Sequence, residues 1–196
     1  MKAYGRILAA AMVISVAAYT SAHRCPASGR HSLYEGQFTK EMRAMQHGIL
    51  RRHNHYRRLH GVPLLKNDEK LNRWAQGWAQ HMANTEDFNH MNKTGIGENL
   101  YFESGHPSAA GIVDDWYSEI CTYYYPSPMK ENIIGHFTQI VWKASRRIGS
   151  GIARSRKGVY VASFYTPAGN YPDLMKENVP APIAGRPSRR KCRAMK

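Results

Sequence analysis

Residues 135–142, which read G-H-F-T-Q-I-V-W, constrain the fold more than any other stretch of the chain. The glycine allows a tight turn into the segment. The apolar residues that follow, Phe137, Ile140 and Val141, recur at helical spacing. We therefore predict a short packed helix that carries His136 at its entrance. A histidine in this position can face a cleft, but most single histidines only satisfy local hydrogen bonds, so its role depends on the rest of the chain.

The first 22 residues are typical of a secretory signal peptide. Lys2 and Arg6 precede an apolar run at residues 7–19, and small residues follow at positions 20–22. The run is too short to span a bilayer. We therefore expect a secreted, extracellular protein that begins near His23. Loss of the two basic residues would lower the formal net charge from +14 to +12.

This positive charge predicts attraction to anionic partners. Secretion argues against nucleic acid and favours anionic membrane surfaces or sulfated glycans.

The chain contains three cysteines. An odd number of them, Cys25, Cys121 and Cys192, leaves at least one thiol unpaired within the chain. Cys25 and Cys192 lie in the terminal segments and could join the termini, whereas Cys121 is interpreted as a buried or free thiol.

Hydrophobic periodicity predicts three longer helices and a hairpin. The helices cover residues 39–60, a segment capped by Asn67, and residues 107–120. Residues 86–107 are predicted to form a long irregular loop. Two strands, at residues 148–154 and 159–165, are joined by a turn. The resulting organisation is a signal peptide at 1–22, a leader at 23–38, a domain at 39–180 and a basic C-terminal tail at 181–196.

Four side chains are candidates for chemistry because irregular backbone, glycine or an apolar helix face surrounds each of them: His90, Glu98, Glu119 and His136. Imidazoles and carboxylates of this kind can bind a divalent metal or act as general acid and base. The chain lacks a phosphate-binding glycine loop, a dinucleotide fingerprint and a G-x-S-x-G motif. These absences exclude several common enzyme classes.

Two surface features complete the candidates. Tyr123, Tyr124 and Tyr125 form an aromatic run suited to a lipid interface, although packing between a helix and the sheet is an equally good interpretation. Asn92 begins an N-x-T glycosylation acceptor, which predicts that this loop is exposed.

Four motifs occur in order along the chain. They are H-N-x-x-R at 53–57, G-E-N-L at 97–100, G-H-F-T-Q-I-V-W at 135–142 and Y-x-P-A-G-N at 165–170. Together they resemble the CAP superfamily of cysteine-rich secretory, antigen 5 and pathogenesis-related proteins, over roughly residues 40–180. The chain lacks the paired domain cysteines common among secreted members. Its core is therefore more similar to the Golgi-associated plant pathogenesis-related branch.

The resemblance implies an α+β fold, a three-layer α-β-α sandwich with a central antiparallel sheet. It also implies that His90, Glu98, Glu119 and His136 form one cleft, with His81 as a rival to His90. His90 and His136 would be the metal ligands, with Zn²⁺ as the candidate metal. Glu98 and Glu119 would be the residues to consider for catalysis. His53, Asn54 and Arg57 are interpreted as structural.

Three functions remain open from the sequence. The first is a secreted protein that binds a sterol, a fatty acid or an anionic membrane surface, with a divalent metal in its cleft. The second is a metal-assisted hydrolase that uses the same cleft, although we lean away from an enzyme. The third is a role in extracellular protein–protein signalling, in immunity or reproduction, with an unknown partner protein. A homodimer is a further candidate assembly, and nucleic acid is not expected as a partner.

Overall fold

A computed structural model describes residues 33–91, 93–125 and 135–195. The helices are α1 (Lys40–Leu59), α2 (Glu69–Thr85), α3 (Ala109–Ser118), α4 (Gly135–Val141), α5 (Met175–Asn178) and α6 (Arg189–Ala194). The strands are β1 (Lys66–Asn67), β2 (Gly97–Glu103), β3 (Arg147–Arg154) and β4 (Val159–Thr166). The predicted signal peptide and Cys25 lie outside the described residues.

The strands form one sheet in the order β1-β3-β4-β2. The pairs β2–β4 and β3–β4 are antiparallel, as predicted, while the two-residue strand β1 runs parallel to β3. Helix α2 packs against β3 and β4, and α1, α3 and α4 contribute to a separate apolar cluster. The expected α-β-α sandwich is confirmed, with one short parallel pair at the edge of its sheet.

Strand β4 separates two hydrophobic cores because successive side chains of a strand point to opposite faces. Val159, Val161 and Tyr165 belong to the core beneath α1, α3 and α4. Tyr160, Ala162 and Phe164 belong to the core beneath α2. Burial on both faces explains why this strand reads as an almost continuous apolar run rather than as an alternating one.

Helix α1 occupies the predicted segment, with Thr39 as its N-cap and His60 as its C-cap. Helix α2 corrects one prediction, because Asp68 and not Asn67 is its N-cap. The side chain of Asp68 accepts a hydrogen bond from the backbone N–H of Leu71 at 3.0 Å. Asn67 instead belongs to β1, and its side chain accepts a hydrogen bond from Asn72.

The segment predicted as a long irregular loop contains strand β2, so that prediction is wrong for residues 97–103. Glu98 therefore lies on a strand, whereas His90 lies in the loop that precedes it. The prediction of two later strands is confirmed, and the backbone N–H of Ser155 closes their turn on the carbonyl of Gly158 at 2.9 Å.

The C-terminal segment is attached to the domain, in contrast to the predicted tail. A disulfide joins Cys121, directly after α3, to Cys192 in α6. This pairing corrects the interpretation of Cys121 as a free thiol and excludes the alternative that Cys192 is paired with Cys25. The backbone N–H of Ile183 also donates to the carbonyl of Leu59 at 2.8 Å.

The H-N-x-x-R motif is structural, as expected. Both ring nitrogens of His53 are hydrogen-bonded, one to the carbonyl of Ile49 and one to the hydroxyl of Tyr165. The buried guanidinium of Arg57 donates to the backbone carbonyls of four residues, Pro63, Ile140, Trp142 and Ser145. One side chain of α1 therefore fixes the loop after α1, the end of α4 and the loop after α4.

Candidate functional site

His136 and Glu119 form the first of two histidine–glutamate pairs. Helix α4 begins at Gly135, which places His136 in its first turn. Nδ1 of His136 lies 2.7 Å from one carboxylate oxygen of Glu119, and the other oxygen accepts from the backbone N–H of Phe137 at 2.9 Å. A carboxylate only accepts hydrogen bonds, so Nδ1 carries the proton and Nε2 is left as the possible ligand atom.

His90 and Glu98 form the second pair. Nδ1 of His90 lies 3.1 Å from Glu98, whose oxygens also accept from the backbone N–H of Met91. The hydrogen bond and charge of Glu98 outweigh partial burial and raise the pKa of His90 above its usual value. The rival residue, His81, instead stacks its ring on Trp78 at 4.7 Å. The structure therefore pairs Glu98 with His90.

Both pairs lie against the first half of β2. Glu98 is a residue of this strand, and the neighbouring Asn99 donates its side-chain amide to the backbone carbonyl of His136 at 3.1 Å. Trp116 donates its indole N–H to the carbonyl of Leu100 at 2.8 Å, and its ring stacks on His136 at 5.9 Å. Strand β2 thus connects the elements that hold the two histidines.

The arrangement is two pairs rather than one cluster of ligands. Within residues 33–91, 93–125 and 135–195, no group of three or more His, Cys, Asp or Glu side chains could hold a metal ion. Both carboxylates already accept hydrogen bonds from an imidazole and a backbone N–H. Chemically, the site can orient imidazole rings, while its carboxylates are committed to that task.

Two residues that support the site were not singled out as functional from the sequence. Trp116 was predicted only as part of a buried helix face, and Asn99 only as part of a motif. The side-chain oxygen of Asn99 is buried and has no hydrogen-bond partner among the described residues. Buried amide groups are rarely left unpaired. The unpaired oxygen of Asn99, beside the candidate Glu98, therefore favours a role for Asn99 in the site.

The tyrosine run does not form the predicted lipid interface as a whole. Tyr123 is 1% exposed and belongs to the core, which contradicts its assignment to a surface. Tyr125 is half-buried, with Arg186 over its ring. Tyr124 is 59% exposed, so it alone of the three presents an open aromatic face. The predicted glycosylation residue, Asn92, lies outside the described residues.

No helix in the described ranges has both the length and the apolar character needed to cross a membrane. The solved structure of BmVAL-1 superimposes with a TM-score of 0.57 at 25% identity, covering 84% of this chain and 94% of that one. That similarity agrees with the sandwich described above.

Sequence comparisons identify the family. The human Golgi-associated plant pathogenesis-related protein 1 is 38% identical over 140 residues, covering 68% of this chain and 91% of that protein. Human cysteine-rich secretory protein 2 is 31% identical over 180 residues, covering 83% and 72%. The model of the cysteine-rich secretory protein family matches residues 50–166. With these matches and its four ordered motifs, the chain belongs to the CAP family.

Proposed function

We propose that this protein is a secreted CAP-domain binding protein that recognises sterol, fatty acid or an anionic membrane surface, with a divalent-metal site in its cleft. The observation that carries a binding role is the engagement of both cleft glutamates. Each accepts hydrogen bonds from an imidazole and from a backbone N–H. Such carboxylates fix the orientation of the rings, which suits a site that holds a ligand.

Secretion is supported by the disulfide between Cys121 and Cys192, because such bonds persist in oxidising compartments. The basic and apolar pattern of residues 1–22 supports the same route. Relatives named as secretory or secreted proteins are also similar to this chain. Mass analysis of protein recovered from the culture medium tests this, since the mature chain should begin near His23.

The proposed metal ligands are two imidazoles, each oriented through its Nδ1 atom by a glutamate. Zinc in a catalytic site takes three protein ligands, whereas here the carboxylates are engaged and the imidazoles of His90 and His136 remain as the proposed ligands. When bound, Zn²⁺ would supply Lewis acidity to a ligand in the cleft. Glu119 would orient His136, and Glu98 would orient His90. This set does not fit a metal-dependent hydrolase, so we propose no catalytic step.

Titration calorimetry with Zn²⁺ tests the metal site. Replacement of either ligand, His90→Ala or His136→Ala, should weaken binding at least tenfold, while His81→Ala serves as the matched histidine control. Affinity should also fall below about pH 6, because metal-binding imidazoles must be deprotonated. Equal affinity in all three variants would remove the metal from the proposed function.

The lipid part of the proposal is supported by the formal net charge, which is +14 for the full chain and +12 without residues 1–22, and by the exposed ring of Tyr124. Aromatic side chains with one polar end suit the boundary between lipid and water. A lipid-overlay assay with Tyr124→Ser should show reduced sterol binding, compared with Tyr171→Ser as a control at another exposed tyrosine. Unchanged binding by a folded Tyr124→Ser variant would remove this residue from the lipid interface.

Native mass spectrometry of the secreted protein tests the whole proposal at once. A bound lipid or metal would appear as an added mass, a glycan at Asn92 as a larger covalent one, and a homodimer as a doubled mass. Apoprotein that takes up none of the offered sterol, fatty acid or Zn²⁺ would contradict the binding role.

A further inference from the structure

The end of the molecule where α1 terminates carries a group of exposed basic residues. The backbone N–H of Lys66 in β1 donates to the carbonyl of Arg146 at 2.9 Å. The guanidinium of Arg146 in turn reaches the carbonyl of Lys143. Lys66 also stands opposite Arg147 in the parallel ladder between β1 and β3. Four cationic side chains from two chain segments therefore share one edge of the sheet, and all are exposed.

Helix α1 adds a fifth basic residue to this edge. The exposed Arg58 donates to the carbonyl of Asn54 at 3.4 Å. The side chain of Asn54 holds the backbone of Leu65, directly before Lys66, with hydrogen bonds of 2.8 and 3.0 Å. The last turn of α1 is thereby tied to the strand that carries the other cations.

The backbone beneath these cations is fixed by Arg57. Its buried guanidinium bonds to carbonyls on both loops, including those of Pro63 and Ser145. Burial, and secondarily the nearby charge of Arg146, lower the pKa of Arg57 to about 10. Positive charge is therefore crowded at this end of the molecule. One of these cations has an acidic partner, since the guanidinium of Arg147 lies 3.7 Å from the carboxylate of Asp68.

Exposed aliphatic side chains flank the same group. Leu59 is 39% exposed, Leu64 is 42% exposed and Ile183 is 78% exposed. Ile183 bonds through its backbone N–H to Leu59, and the chain segment that leads to it contacts Lys143 through the carbonyl of Asn178 at 2.9 Å. The chain segments that carry the aliphatic residues and the cations therefore contact one another around the end of α1.

Cations beside exposed aliphatic side chains are typical of proteins that dock on a membrane surface, since cations attract the headgroups and aliphatic side chains enter the interface. A soluble polyanion would use the cations but would gain nothing from an open Ile183. We propose that this end of the molecule docks on anionic lipid headgroups. We name it the α1-end surface, and it comprises Arg58, Leu59, Leu64, Lys66, Lys143, Arg146, Arg147 and Ile183.

This inference rests on the membrane-binding part of the proposed function and assigns that part to one surface. It assigns the anionic headgroups to residues outside the tyrosine run, in which Tyr123 is buried and Tyr125 is half-buried. It also gives the C-terminal segment a role, because Ile183 lies beyond the predicted domain boundary at residue 180 and is held against the end of α1.

Vesicle cosedimentation of the protein secreted by a host cell tests the α1-end surface. The vesicles are phosphatidylcholine with added phosphatidylserine, and pure phosphatidylcholine is the uncharged reference. The triple variant Lys66→Gln, Lys143→Gln, Arg146→Gln should lose about 100-fold in affinity for the anionic vesicles. The matched control, Lys40→Gln, Arg156→Gln, Lys157→Gln, removes equal charge elsewhere. Lys40 begins α1, about 30 Å from its other end, and the other two residues lie in the turn after β3, whose last residue Arg154 forms an ion pair with Glu41 of α1.

A second variant tests the aliphatic contribution without changing the charge. Leu64→Ser with Ile183→Ser should weaken binding to anionic vesicles several-fold while leaving heparin binding unchanged. If the wild type binds anionic vesicles but both triple variants bind them equally, the α1-end surface is wrong and the proposed function stands. If the wild type binds heparin and no vesicles, the surface is a glycan site, and both this inference and the membrane-binding proposal are overturned.

Discussion

Glu98 raises the pKa of His90 through a hydrogen bond of 3.1 Å and through its negative charge. Because this contact raises the pKa of His90, its protonated form is favoured in the folded state. The resulting stabilisation is present below the unfolded pKa of about 6.5 and is lost as the pH rises through the raised folded value. The substitution Glu98→Gln should therefore lower the pKa of His90 and reduce stability more at acidic than at alkaline pH.

An NMR titration of the His90 ring in metal-free protein measures this shift directly. Glu119→Gln is the matched control, because Glu119 contacts His136 instead. The pairing would be contradicted if His90 titrated identically in the wild type and in the Glu98→Gln variant.

Arg57 and Arg58 are adjacent basic residues with opposite roles. Arg57 donates to carbonyls of the loops on either side of it and is fully buried, whereas Arg58 is exposed. Arg57→Met should lower the free energy of unfolding by about 4 kcal/mol, because buried carbonyls lose their donors. Arg58→Met should change it by less than about 0.5 kcal/mol. Urea denaturation of both variants provides the measurement, and equal effects would contradict the structural role of Arg57.

At the residue scale, the sequence motifs singled out the four candidate residues but not the two pairs that they form. His136 and Glu119 are separated by 17 positions, and His90 and Glu98 by 8. Spacing does not reveal which carboxylate meets which imidazole, since that depends on how α3, α4 and β2 pack. Similarly, no local pattern distinguishes the buried Arg57 from the exposed Arg58 except its position on the apolar stripe of α1.

Helix α2 approaches β3 so closely that their backbones are in contact. A Cβ atom added at Gly151 would overlap the backbone of Gln76 and Ala75. The side chain of Gln76 also bonds to both the N–H and the carbonyl of Ile152, which fixes the helix on the strand. Gly151→Ala should therefore destabilise the fold by about 3 kcal/mol, because a backbone clash cannot be relieved by a rotamer change.

Gly135→Ala is the control for this prediction. A Cβ atom there would meet the amide of Asn170 at 3.5 Å, an ordinary contact, and alanine favours the helical state. Thermal unfolding of the two variants should separate them by several degrees. A stable Gly151→Ala variant would contradict the close approach of α2 and β3.

Elements were predictable where their pattern was long. Helix α1 has apolar positions at helical spacing and β4 is an almost continuous apolar run, and the predicted positions of α1, β3 and β4 agree with the structure. Strand β2 was missed because Gly97 and the surrounding glycines indicate a loop, although residues 99–102 contain a leucine and two aromatics. The cap of α2 was displaced by one residue because Asn67 and Asp68 are both good N-cap residues.

Four arginines at positions 51, 52, 57 and 58 lie close together in the sequence, but in the whole molecule they do not form one basic surface. Arg51 and Arg58 are exposed, but Arg52 forms an ion pair with Asp114 and Arg57 is buried. The basic residues that share a surface with Arg58 come from β1, β3 and the loop before β3 instead. Distant segments meet only through the topology of the sheet, so local charge runs could not predict the α1-end surface.

The disulfide closes the molecule around its C-terminal segment. Cys121 and Cys192 are 71 positions apart, and a link of that span restricts the unfolded chain strongly. Replacing both with serine should lower the free energy of unfolding by about 3 kcal/mol. A reducing agent should destabilise the wild type to the level of the variant and leave the variant unchanged. Denaturation in urea, with and without the reductant, measures both effects.

Cys25→Ser separates this pairing from the alternative suggested by the positions of the cysteines. If Cys121 and Cys192 form the bond, Cys25→Ser should leave stability unchanged, and peptide mapping without reduction should recover a fragment that joins α6 to the residues after α3. Recovery of Cys25 joined to Cys192 would contradict the structure. In that case the turn after α3 would lose its covalent link to the C-terminal segment, and the domain would instead be closed through its two terminal segments.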